Sequence, residues 1–194
     1  MTELFLVLLS AALINNIVLH LPLGIDPLLR APATAERAQI RALGIATCVL
    51  MLASALPGQA IYQYLLVPLD LSWLRLFVFL PLCVLLIAPV LRLLSRAVPT
   101  LPFAPLKPLL LANAGILGLS LLSAEANKGL LYTLFLSLGT GLGFWLVLSL
   151  FNDLRQRACN DDDVPLPLRG LPIELISAGL MAMAFLGFNG LFKP

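Results

Sequence analysis

The chain has 194 residues, 60% of them hydrophobic and 11% charged, with a formal net charge of +2 and a mean hydropathy of +1.01. Soluble domains carry about 25% charged residues, so twelve basic and ten acidic side chains do not make a water-facing surface around so apolar a chain. A soluble fold is excluded, a net charge this small gives no reason to expect nucleic acid, and the reading is an all-α integral membrane protein whose first partner is the lipid bilayer.

A bilayer-crossing helix needs about 20 apolar residues. The N-terminus begins Met1-Thr2-Glu3 and then turns apolar, without the basic opening and small-residue cleavage site of a secretory signal, so the first run is expected to be a retained membrane helix. Uncharged runs extend from Leu4 to Leu23, Ala42 to Leu66, Leu76 to Leu91, Leu109 to Ala124, Gly129 to Asn152 and Leu175 to Phe192. They predict six spans joined by short connections, and one transmembrane domain over 1–194. The third and fourth runs hold 16 residues each, the length of a buried or re-entrant helix rather than a full crossing. The fourth is the shorter in effect, because Pro105 and Pro108 crowd its start while Trp73 and Leu74 extend the third.

Lysine and arginine set the orientation. Arg30, Arg37, Arg41, Arg92, Arg96, Lys107, Arg155, Arg157 and Arg169 fall in the first, third and fifth connections, against Arg75, Lys128 and Lys193 on the other side. The positive-inside rule makes the first group cytoplasmic, and both termini are expected on the periplasmic side. Asp161-Asp162-Asp163 does not alter this, since acidic residues contribute little to the rule, and it reads as a solvated loop tip.

Six spans divide into two halves of three, approximately 1–98 and 99–194, and an odd number of crossings inverts the second half. Each half opens on an interrupted span: the first carries Asn15-Asn16 and ends at Pro22 and Gly24, and the fourth carries Asn113, Gly115 and Gly118. Asn16 and Asn113 lie 97 positions apart, half the chain length. Broken segments at equivalent places in inverted halves point to a functional centre near the midplane. If the amides serve only to bond helices together, the two Asn-bearing helices are expected side by side.

Other features have structural readings. Gly139-Thr140-Gly141-Leu142-Gly143 lacks the strand and acidic residue of a dinucleotide loop and reads as a close-packing face, as does the Gly179 and Gly187 pair; both are expected to meet neighbouring helices. Cys48 and Cys83 read as small core residues and Cys159 as a loop residue, with no metal-ligand spacing. His20 stands alone near the end of the first span. No hydrolytic constellation of Ser, Thr, Asp and Glu is present in the spans.

Asn15-Asn16 with Val18-Leu19 and Leu23-Gly24, and then Asp163-Val164-Pro165, Pro167, Arg169-Gly170, Ala178-Gly179-Leu180-Met181, Ala184-Phe185, Gly187-Phe188 and Gly190-Leu191, resemble the A subunits of the Rnf (Rsx) family. The resemblance runs through the whole chain and is densest from Asp163 to Leu191. That family comprises bacterial ion-translocating electron-transport complexes whose A and E subunits are homologous to the D and E subunits of the sodium-pumping NADH:quinone reductase. The resemblance implies six helices in two inverted repeats with half-helices in spans one and four. It further implies a homologous six-helix E-type partner, other Rnf-type subunits carrying flavin and iron-sulfur centres, and a place in the bacterial inner membrane.

It also implies a [2Fe-2S] cluster shared between the two related subunits and held by a cysteine in span one and another in span four of each. Here the family's Gly-Leu-Cys-Pro is Gly24-Ile25-Asp26-Pro27 and its Thr-Asn-Cys is Ala112-Asn113-Ala114. Asp26 and Ala114 therefore stand at the cluster-ligand positions, and Leu91 stands where the family has a glutamate in span three. Iron-sulfur clusters are held by thiolates, so no cofactor is expected on this chain. Asn15, Asn16, Asp26 and Asn113 remain as a candidate polar site near the midplane, with oxygen donors suited to hard cations or protons. Two readings follow: an A-type subunit of a translocase complex that has lost its own cluster ligands, or a cluster-free paralogue serving as a small transporter or assembly scaffold.

Overall fold

The computed structural model describes residues 2–14, 16, 37–158 and 165–187. All regular structure among them is helical. Helix α1 (Thr2–Leu9) runs on into a π-helical turn (Ser10–Ile14). Helix α2 (Arg37–Ile61) likewise ends in a π-helical turn (Tyr62–Leu66), and α3 covers Arg75–Ala97 after a short 3-10 turn (Ser72–Leu74). The next span is in two pieces, α4 (Lys107–Leu111) and α5 (Ala114–Ala126). Helices α6 (Leu130–Ala158) and α7 (Leu171–Leu186) follow.

Three stretches are long and apolar enough to cross a membrane: Arg37–Leu66, Ser72–Ala97 and Leu130–Arg157. A fourth, Ala104–Leu111 followed by Ala114–Ala126, passes the same test as a pair bent by 55°. Glu3–Ile14 and Leu171–Leu186 are shorter apolar helices. The chain is an all-α membrane-embedded protein. The third run is longer than its 16 uncharged residues suggest, because Arg75, Arg92 and Arg96 lie within the helix near its ends, where long basic side chains reach the interface.

Prolines interrupt these helices without ending them. Pro57 lies within α2, and Pro81 and Pro89 lie within α3. Each removes one backbone donor, a loss that membrane helices absorb through neighbours and local π or 3-10 adjustment; the π-helical turn after α2 begins five residues beyond Pro57.

The core forms where α2 and α6 cross, the most extensive helix pair among the described residues. Leu43, Leu50 and Met51 of α2 are fully buried with Phe144, Leu148 and Phe151 of α6. In lipid there is no hydrophobic drive between apolar helices, so close backbone approach and packing supply the attraction. Small residues allow that approach. A Cβ at Gly141 would lie 2.6 Å from Sγ of Cys48, and one at Gly44 would enter the Trp145 ring. Helix α1 packs against α6, α5 against α2 and α3, and α7 against α6.

Candidate functional site

The site is the break in the fourth span. Helix α4 stops at Leu111, with the Ala112 N–H donating back to the Pro108 and Leu110 carbonyls. Asn113 then takes an extended conformation (φ −83°, ψ 91°), and its Oδ1 accepts the Gly115 N–H at 3.0 Å. Asparagine is a strong N-cap because its side-chain oxygen satisfies a donor that the first turn leaves free. Here it starts a second helix inside an apolar stretch. The other end of the same amide is spent on nothing: Nδ2 of Asn113 is buried and has no hydrogen-bond partner among the described residues, in a side chain only 4% exposed.

A cavity of about 230 Å³ lies at this break, lined by Asn113, Ala114, Cys83, Ile87, Leu110 and Leu117 among others. Cys83 is eight residues beyond the Arg75 end of α3, about 12 Å along the helix at 1.5 Å per residue. With Arg75 at the interface, that depth is well inside a hydrocarbon layer about 30 Å thick. Irregular backbone at such depth is stable only where protein buries it or where it lines a cavity, and both conditions hold. The Cys83 thiol is within hydrogen-bonding reach of Ser54 and Ser120, whose own hydroxyls donate to the Met51 and Ile116 carbonyls. Chemically the described lining offers one amide donor and one thiol among apolar walls, which suits a water or a neutral acceptor.

The sequence-predicted residues are only partly brought together. Asn113 and Ala114 line the cavity. Asn16 is 2% exposed and its Nδ2 donates to the Ala12 carbonyl at 3.0 Å, beside Gly143 of α6. The main packing of the Asn16 segment is thus with α6, whereas that of the Asn113 helix is with α2 and α3. Among the described residues each Asn-bearing segment has its main packing on a different long helix, and the rest of the first span lies outside the described residues. Asn15, Asp26, His20 and Cys159 lie outside the described residues. Among the described residues no group of three or more His, Cys, Asp or Glu side chains is placed to hold a metal.

Over residues 4–192 the chain matches the family model described as Rnf-Nqr subunit, membrane protein. It is similar to the proteins named as the A subunit of the ion-translocating oxidoreductase complex in three bacteria, in each case over the full length of both chains: 39% identical to that of Azotobacter vinelandii, 39% to that of Pseudomonas aeruginosa and 35% to that of Actinobacillus pleuropneumoniae. The chain belongs to the Rnf-Nqr membrane-subunit family.

In this Rnf-Nqr protein the [2Fe-2S] cluster implied by the resemblance can be tested against the residues at the break. Ala114 offers a methyl group, and Cys83 on the neighbouring helix is the one thiol among the described residues that line the cavity. Iron-sulfur clusters are held by thiolates; of the two ligand positions only Ala114 lies among the described residues, and its methyl side chain does not fit that role.

Two polar arrangements are not foreseen from the sequence. Gln59 of α2, Ser123 of α5, and Thr133 and Ser137 of α6 are fully buried. Ser123 Oγ donates to Gln59 Oε1 at 3.2 Å or shares a proton with Thr133 Oγ1 at 2.6 Å, Thr133 Oγ1 donates to the Gly129 carbonyl at 3.2 Å, and Ser137 Oγ donates to the Thr133 carbonyl. The available signal is the spacing of Asn113, Ser120 and Ser123, which places all three on the buried side of the half-helix. Arg155 of α6 and Glu174 of α7 form a 2.6 Å ion pair with side chains only 6% and 11% exposed. In the sequence Arg155 is one topology charge among nine, and only its neighbour in space gives it this second role.

Proposed function

We propose that this chain is the A-type membrane subunit of an ion-translocating oxidoreductase complex that couples electron transfer to ion movement across the bacterial inner membrane. The observation that carries this is the full-length relationship to subunits of that name, joined to a broken span of the kind that marks transport sites. In this reading the chain has six spans in two inverted halves with both termini periplasmic, and it pairs with a homologous six-span subunit.

The helix pairing supports the inverted halves. In such a repeat, spans one, two and three correspond to four, five and six. The docking of α1 on α6, the fifth span, then corresponds to that of α5, in the fourth, on α2. Ala42, Gly44 and Ala46 of α2 stand 97 positions before Gly139, Gly141 and Gly143 of α6, the same offset that separates Asn16 from Asn113. All three α2 positions are buried.

The chain's own contribution at span four is a fixed break and a cavity, with an Asn113 amide donor that has no partner among the described residues, and no ligand for iron at Ala114. Electron carriers then reside on the partner subunits, and this chain shapes and insulates the path beside them. The second reading, a cluster-free transporter or scaffold, draws on the same Nδ2 beside the cavity, which has no partner among the described residues.

A tagged chain, purified from its own bacterium in mild detergent under anaerobic conditions, tests the proposal. A related polytopic protein and redox-carrying subunits are expected to copurify, with donor-driven ion uptake in inverted vesicles that is lost on deletion of this gene. Recovery as a lone polypeptide, with uptake unchanged in the deletion strain, overturns it. A reduced [2Fe-2S] resonance that survives Asp26→Ala agrees with iron held elsewhere; one that disappears in that variant returns the cluster to this chain.

A further inference from the structure

At the end of the bundle where α2 begins, Arg37 and Arg41 stand one turn apart on one face of α2. They face Ser149, Asn152 and Asp153, which share a face of α6. Together with Ile40 these residues line a cavity of about 200 Å³, against the roughly 15 Å³ that admits a single water. Neither arginine is in an ion pair among the described residues, where the salt bridges are Arg75 with Glu125 and Arg155 with Glu174. Among the described residues that line it, the cavity thus holds two guanidinium groups against one carboxylate. Asn152 is 4% exposed, and no hydrogen bond joins its side chain to a described residue. The Ser149 hydroxyl is already committed, donating to the Trp145 carbonyl at 2.9 Å.

A cavity with excess positive charge at the end of apolar spans lies at the level of lipid headgroups. Guanidinium forks match phosphate oxygens in bidentate geometry, and basic pockets between membrane helices at the cytoplasmic leaflet favour anionic headgroups. We propose that Arg37 and Arg41, with the Asn152 amide as a neutral donor, form a binding site for a phosphate group. The membrane supplies that group as the headgroup of an anionic glycerophospholipid. Asp153 limits its affinity by repulsion, so the site discriminates against phosphates that cannot also lay an acyl chain along the bundle. The site is independent of the broken span, and its presence does not rest on the complex proposed above.

The test uses the full chain in lipid nanodiscs of phosphatidylcholine with or without phosphatidylglycerol, read by the lipid retained after delipidation in native mass spectrometry. Wild type is expected to retain phosphatidylglycerol over phosphatidylcholine. Two arginines at about 1 kcal/mol each near the surface make the expected loss in R37Q/R41Q about thirtyfold in affinity. Asp153→Asn is expected to tighten retention, a gain that damage to the fold does not mimic. Inorganic phosphate, added to delipidated protein in neutral detergent, distinguishes the sources. Stabilisation by phosphate that depends on both arginines, with no preference between the lipids, keeps the phosphate site and overturns the lipid as its occupant. Equal retention of both lipids by wild type and R37Q/R41Q, with no response to phosphate, overturns the site.

Discussion

The Arg155 guanidinium lies 2.6 Å from the Glu174 carboxylate, and both side chains are almost wholly withdrawn from the surface. The pair fastens α7 to the end of α6, and the Arg155 guanidinium also lies 5.8 Å from the Phe151 ring centre. Removing one member of a buried pair leaves a stranded charge, which costs about 3–5 kcal/mol, whereas replacing both with apolar groups is often neutral. Glu174→Met and Arg155→Met are therefore each expected to lower the thermal midpoint of the detergent-purified protein severely. The double variant R155M/E174M is expected to recover most of the loss. Additive effects in the double variant would show that the two residues do not act as a pair.

The first helix is held through glycine. A Cβ at Gly143 would lie 2.6 Å from the Ala12 carbonyl oxygen, and one at Gly139 would strike the backbone of Leu8. Backbone does not move aside as a flexible side chain does, so Gly143→Val is expected to cost about 1–3 kcal/mol by overpacking and to speed hydrogen exchange in the N-terminal helix first. At Gly179 nothing lies within 4 Å of an added Cβ, so Gly179→Ala is expected to leave the isolated chain unaltered. Spacing alone makes the two glycine pairs look equivalent; within the described residues only the α6 pair is filled by this chain.

Asn113 divides its amide between two tasks. Oδ1 caps α5, and Nδ2 has no partner among the described residues. Asn113→Ala loses the cap and is expected to destabilise the protein by about 1 kcal/mol. Asn113→Ser keeps a capping oxygen and discards the amide donor, so its thermal midpoint is expected to stay near wild type. If the proposed function holds, ion uptake in vesicles falls in N113S despite that retained stability. Uptake equal to wild type would assign Asn113 to the fold alone.

The orientation proposed from the basic residues has a direct check. A reporter active only in the cytoplasm is expected to be silent when fused after Pro194 and active when inserted in the loop that contains Asp161. The reverse pattern would invert the topology.

Composition and the runs between charges determined that the chain is membrane-embedded and helical, because in lipid every backbone polar group must be satisfied within the segment itself. The break in the fourth span was also legible, since Pro105, Pro108 and Asn113 act locally on the backbone around them. Partners across space were not. That Cys83 shares a cavity with Ala114, that Arg155 meets Glu174, and that Asn16 docks on α6 depend on which helix faces meet. Those faces are chosen by packing between helices whose apolar surfaces look alike in sequence, and the steric room at Gly44, Gly139, Gly141 and Gly143 decides among them only once the helices are assembled.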